Sequence, residues 1–186
     1  MTLQKISTVL DAQGFQINNV FYIRELSFAN DFNAKTFNVD PEVNILNIGK
    51  LTRGCIDFQT NELHGLKLRP EKNFHLKHSN INSFLPILIE SLTNKDKPYV
   101  AIKNQQLATI FKSLNIDFVN LEKGDYLVPS LKNLDQASSN GIWMCSLHTV
   151  FSVDNKRCAL RKGLLLWSWL KKKNDEEREM SLAISI

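Results

Sequence analysis

The stretch Val20-Phe-Tyr-Ile-Arg-Glu-Leu-Ser-Phe28 is rich in aromatic and β-branched residues, which suit a pleated, half-buried surface, and it is predicted as a strand. It does not stand alone. Ile6-Ser-Thr-Val-Leu-Asp11 reads as a strand before it, ending at a turn over Ala12-Gln-Gly-Phe15. Lys35-Thr-Phe-Asn-Val39, stopped by Asp40-Pro41, reads as a third. Three strands joined by connections this short favour an antiparallel meander, and that limits the fold more than any other feature.

From Ser79 the pattern changes. Asn82 or Ser83 is placed to cap a helix through Leu92, with Pro86 tolerated only in a first turn. Tyr99-Val-Ala-Ile102 reads as a short buried strand, and Leu107, Ile110, Phe111 and Leu114 show helical spacing over residues 105–114. Ile116-Asp-Phe-Val-Asn120 is another predicted strand, and a last helix is expected from about Cys158 to Lys173. Strands first, then helix and strand in alternation, predict an α/β fold: a mixed sheet of about five strands with helices packed on it. Residues 42–78 give the weakest signal.

A chain of 186 residues suits one domain, expected over 1–173, with 174–186 as a C-terminal tail. The apolar run Gly163-Leu-Leu-Leu-Trp-Ser-Trp-Leu170 is too short to cross a bilayer, so no membrane partner is expected. Three cysteines and no signal-peptide pattern at the N-terminus predict thiols in a reducing compartment, cytoplasmic or nuclear. A net charge of +4 permits nucleic-acid contact without demanding it.

Two of those thiols and an imidazole fall close together. Cys145-Ser-Leu-His148 and Cys158 have the spacing C-x2-H-x9-C, which fits either a metal site lacking a fourth ligand or a hydrophobic loop feeding a helix. Elsewhere the bland readings lead. Cys55 and Trp167 are expected in the core, Trp169 or Trp143 is the better candidate for stacking on a base, and His64, His75 and His78 are loop residues. Asp11 is expected to cap the turn at Gly14.

The order of elements, with Asp11 at the end of the first strand, resembles the ribonuclease H-like fold of DnaQ-type 3′–5′ exonucleases. Those enzymes hold two divalent metals on carboxylates. Their Asp-x-Glu motif reads Asp11-Ala12-Gln13 here, with an amide for the second carboxylate. Val100-Ala-Ile-Lys103-Asn104-Gln-Gln-Leu-Ala108 resembles the second motif, with Lys103 at its histidine and Ala108 at its aspartate. Arg157-Cys-Ala-Leu-Arg-Lys162 resembles the last, with Arg157 at its histidine and Lys162 at its aspartate. The resemblance therefore implies no catalytic residues beyond a vestigial Asp11, and no small-molecule cofactor site. Lys103, Arg157, Arg161 and Lys162 would instead line a basic groove for nucleic acid.

The chain also resembles Maelstrom domains, a ribonuclease H-like group that lost the acidic set and carries a Glu-Cys-His-Cys zinc motif. Glu25, Cys145, His148 and Cys158 match it, which implies one structural zinc. A loose group of arthropod proteins shares the pattern Asp-x-Gln-Gly-Phe, Lys/Arg-Glu-Leu, His-Gly and Cys-x-x-His…Cys-Ala-Leu. By strand alternation Glu25 is expected on one face with Phe21 and Ile23, where a carboxylate needs a partner. Without zinc, Glu25 would pair with Arg157 or Arg24, and the cysteines would be core. The implied function is an inactive exonuclease-like module that binds RNA or a protein, in RNA metabolism or small-RNA (piRNA) genome defence. The alternatives are a metal-independent or non-standard nuclease, and a scaffold that dimerises, as the apolar end Met180-Ser-Leu-Ala-Ile-Ser-Ile186 suggests.

Overall fold

The structure, a computed structural model, describes residues 3–68, 74–122, 126, 128–137 and 158–184. Its strands are β1 (Ile6–Ile17), β2 (Val20–Ala29), β3 (Ala34–Asp40), β4 (Leu76–Lys77), β5 (Tyr99–Ile102) and β6 (Phe118–Asn120). Its α-helices are α1 (Lys50–Phe58), α2 (Ile81–Leu92), α3 (Gln105–Ser113), α4 (Leu131–Ala137) and α5 (Ala159–Ile184). The strands form one mixed sheet in the order β4-β3-β2-β1-β5-β6. β1, β2 and β3 pair antiparallel; β5 lies parallel to β1, β6 to β5, and β4 to β3. This is an α/β architecture compatible with the ribonuclease H-like fold. The extra strand, β4, is two residues long and lies in the stretch with the weakest sequence signal. Among the described residues no helix is long and apolar enough to cross a membrane.

The meander differs from expectation at its first corner. β1 runs straight through Ala12-Gln-Gly-Phe15, and the hairpin turns at Asn18-Asn19, whose φ angles of 48° and 65° are both left-handed. That combination defines the tight turn whose twist matches antiparallel strands, and asparagine tolerates it. Gly14 serves a different purpose. Gln13 pairs with Glu25 but Gly14 pairs with Ile23, so Arg24 is an extra residue on β2, a β-bulge. A Cβ at Gly14 would lie 2.0 Å from the Tyr22 carbonyl oxygen, so the bulge admits only glycine there.

The bulge also reverses the side-chain alternation of β2. Ile23 packs with Phe21, Leu26 and Phe28 in the core under α2 and α3, whereas Glu25 reaches the start of α5 on the opposite face. Glu25 therefore does not share a face with Phe21 and Ile23. The alternation rule fails because it assumes an uninterrupted strand.

The two faces of the sheet carry separate cores. Leu10, Ala12, Val100 and Ile102 pack with Leu85 and Leu88 of α2 and Leu107 and Phe111 of α3. On the other face Val9, Ala29 and Ala101 meet Leu166, Trp167, Trp169 and Leu170 of α5. Trp169 is thus core, not an exposed stacking residue: both tryptophans lie on the α5 stripe turned to the sheet. Phe15, Ile17, Ile56 and Leu68 form a third, smaller cluster where α1 closes the β1 end.

Three boundaries move. Neither Asn82 nor Ser83 caps α2, which starts at Ile81 out of a 3-10 turn, and Pro86 sits in its interior, exposed, where the missing N–H leaves a carbonyl on the solvent side. β6 begins at Phe118, because Ile116 still donates its N–H to the Phe111 carbonyl past the left-handed Asn115. α5, expected to end at about Lys173, runs on to Ile184.

Candidate nucleic-acid interface

Asp11 sits inside β1, 2% exposed, on the face covered by α5. It cannot cap a turn at Gly14, since the strand does not turn there. Asn104 reaches it instead: the Asn104 side chain caps α3 by accepting the Leu107 N–H. Its amide nitrogen donates to Asp11 Oδ1 at 3.2 Å and to the Ala12 carbonyl at 2.7 Å. Lys162 of α5 places its Nζ 3.8 Å from Asp11 Oδ2. Burial pushes the Asp11 carboxyl above its ordinary value, and the Lys162 charge and the Asn104 hydrogen bond pull back against it. The segments matched to three exonuclease motifs therefore meet, with an ammonium and an amide beside the carboxylate. Ala108, which the sequence resemblance sets at an exonuclease aspartate, is buried in the α3 core.

A groove of about 930 Å³ opens beside this cluster. One wall is polar, from Gln13, Lys103, Asn104, Gln105, Gln106, Glu122 and Lys162, and Gln16 and Gln59 add polar lining next to α1. Lys103 donates to the Pro129 carbonyl at 2.9 Å, and partial burial lowers its pKa against the opposing pull of Glu122. The other wall is α1, through Leu51, Gly54, Cys55 and Phe58, joined by Leu63 and Phe21. Leu51 is 89% exposed and Phe58 56%. Cys55 is exposed as well, contrary to expectation, because the buried side of α1 is the one that carries Ile56.

Of the four cations expected at the groove, Lys103 and Lys162 line it. Arg161 is half-buried on α5 outside it, and Arg157 falls outside the described residues. The apolar wall was missed by sequence reasoning. The spacing i, i+3, i+4, i+7 of Leu51, Gly54, Cys55 and Phe58 carried the signal, but two small residues in the stripe muted it.

Glu25 and Cys158 of the expected zinc set are brought together, both fully buried. The Cys158 thiol donates to Glu25 Oε1 at 3.3 Å and the Ala159 N–H donates to Oε2 at 3.2 Å. Cys145 and His148 lie outside the described residues, as does Trp143. Arg24, the bulge residue, donates to the Asn38 side chain, to the Val39 carbonyl at 3.2 Å and to the Lys67 carbonyl at 3.0 Å. His75 and His78 are acceptors holding the edge: Asn38 N–H reaches His75 Nδ1 at 2.9 Å and Ile23 N–H reaches His78 Nδ1 at 3.2 Å. The His64 side chain lies outside the described part of the molecule.

No protein-family model, no curated protein and no solved structure matches this chain.

Proposed function

We propose that the chain is a catalytically inactive exonuclease-like module that binds single-stranded RNA in the groove between α1 and the 103–106 segment. The observation that carries this reading is the Lys162 ammonium 3.8 Å from the buried Asp11 carboxylate, where a two-metal nuclease needs further anions. A cation there opposes a divalent metal and favours a phosphate. The opposed walls suit a single strand: lysines for the backbone, and exposed Leu51 and Phe58 for the flat faces of unpaired bases. Such binding is driven by phosphate contacts, with little sequence preference and a steep dependence on salt. The resemblance to Maelstrom domains supports a role in RNA metabolism or small-RNA genome defence. The test is a titration of labelled oligouridine over a salt series against Lys103→Glu/Lys162→Glu. Roughly ten-fold or greater loss, measured below the variant's melting transition, is expected from two phosphate contacts. Equal affinity would remove the groove. Magnesium-stimulated trimming of the strand, abolished by Asp11→Asn, would make the module an active nuclease and overturn the proposed inactivity.

A structural zinc on Glu25, Cys145, His148 and Cys158 is the second part of the proposal. The 3.3 Å separation of the Cys158 sulfur and Glu25 oxygen supports it. Ligands about 2.3 and 2.0 Å from one tetrahedral ion stand roughly 3.5 Å apart. Held there, the metal would tie β2 to the segment entering α5, and its affinity would add to folding stability. Elemental analysis of protein never exposed to nickel resin should give one zinc per chain. A zinc content near zero, with a chelator leaving the melting curve unchanged, would return the thiol–carboxylate hydrogen bond as the whole interaction.

A further inference from the structure

We propose that Asp11 reads the sugar of the bound strand: its Oδ2 accepts the 2′-hydroxyl of a ribonucleotide, so the groove selects RNA over DNA of the same sequence. This rests on the reading of the groove as a strand-binding site. Asp11 Oδ1 is satisfied by Asn104 at 3.2 Å, and the Gln13 side chain and Ala12 backbone also favour the charged carboxyl. The buried Oδ2, however, has no partner of full hydrogen-bond geometry among the described residues. The Lys162 ammonium, at 3.8 Å, is too far to supply one. A charged acceptor left this way inside a protein is costly, so a donor that reaches it is held firmly.

Asp11 lies just behind the groove lining, beneath its neighbours Ala12, Gln13, Asn104 and Lys162, which do line it. A strand lying there presents its phosphates to the lysines, and a phosphodiester has no hydrogen to donate. The backbone of RNA offers one donor, the 2′-hydroxyl, and the backbone of DNA offers none. Lys162 has a long flexible stem and an 18% exposed side chain, so a phosphate can draw its ammonium away from Asp11. A ribose then returns a donor to the vacated carboxylate oxygen. A deoxyribose leaves that oxygen buried with neither counter-charge nor hydrogen bond.

The experiment compares three strands of identical bases: oligouridine, oligodeoxyuridine and 2′-O-methyl oligouridine. The methyl ether keeps the ribose pucker but has no proton to give, which separates a hydrogen bond from strand shape. Oligouridine should bind roughly ten-fold or more tightly than the other two, as a hydrogen bond to a charged group implies. Asp11→Asn, close in size and neutral, should bring the three within a few-fold of one another. A preference for oligouridine that survives Asp11→Asn would overturn the proposal, as would 2′-O-methyl oligouridine binding as tightly as oligouridine. Equal binding of the ribo and deoxy strands by the parent would overturn it while leaving the groove reading intact. Failure of all three strands to bind would overturn both.

Discussion

The two faces of the sheet are built from the same strands and differ in what they bury. Under α2 and α3 a hydrophobic cluster runs from Leu10 and Leu26 to Leu85 and Phe111. Under α5 the same strands place Asp11, Glu25 and Ser27 among the buried residues. The buried polar atoms without a hydrogen-bond partner among the described residues are Asp11 Oδ2, Trp167 Nε1 and Asn174 Oδ1, all on the α5 side. One face is arranged for stability. The other buries polar groups, some of them without a hydrogen-bond partner among the described residues, at a cost in stability.

The comparison breaks first on large-to-small changes. Phe111→Ala removes a fully buried ring packed edge-on to Phe118 at 5.5 Å. It should cost about 3–5 kcal/mol of unfolding free energy in urea denaturation. Ser27→Ala on the α5 face loses one 2.9 Å hydrogen bond to Thr36 and should cost about 1 kcal/mol. Equal costs would mean that the faces are not energetically distinct.

Gly14→Ala probes the bulge that sends Glu25 to the α5 face. Its Cβ would meet backbone at 2.0 Å, which cannot rotate away, so the strands must shift at a cost of about 1–3 kcal/mol. The Glu25–Cys158 contact should loosen with it. A neutral result in thermal denaturation would contradict the register.

Smaller effects come from pH, and the two regions should respond in opposite directions. The Asp11 carboxyl is raised above 3.8 by burial, so over the window from 3.8 up to its folded value the native state holds a proton that the unfolded chain has lost. Fewer protons on the unfolded chain means that stability falls as pH rises through this window, and Asp11→Asn should flatten the slope. His78, on the segment edging the other side, has a pKa lowered from 6.5 by burial, with Glu42 pulling it back up. There the unfolded chain holds more protons, so stability falls as pH drops below 6.5 toward the folded value. A protonated His78 also cannot accept the Ile23 N–H. His78→Gln should remove that acid-side slope, the smallest effect of the set, read from urea midpoints across pH.

What the sequence revealed follows from which signals are local. β5 over Tyr99–Ile102 and the helix after Asn104 were legible because apolar spacing and a side-chain cap lie within a few residues. Gly14 was not, since a glycine at a turn and a glycine at a bulge look alike until the partner strand is known. The face of Glu25 went wrong by the same residue: one extra position, Arg24, reverses every inference from alternation downstream. Asn104 and Lys162 meet at Asp11 and Lys103 lines the adjoining groove, although the three are scattered along the chain. The apolar wall was lost because α1 lies in the stretch 42–78, whose helical spacing went unread, and its apolar side contains the small residues Gly54 and Cys55.

The groove between α1 and the 103–106 segment is the proposed seat of a single strand. Hydrogen–deuterium exchange on the full chain, with and without saturating oligouridine, tests it most directly. New protection should appear in residues 50–63 and 103–107, where α1 and the start of α3 line the groove, while α2, on the apolar face, stays unchanged. Protection confined to α2 or to the β4 edge, with exchange at α1 and residues 103–107 unaffected, would contradict the account.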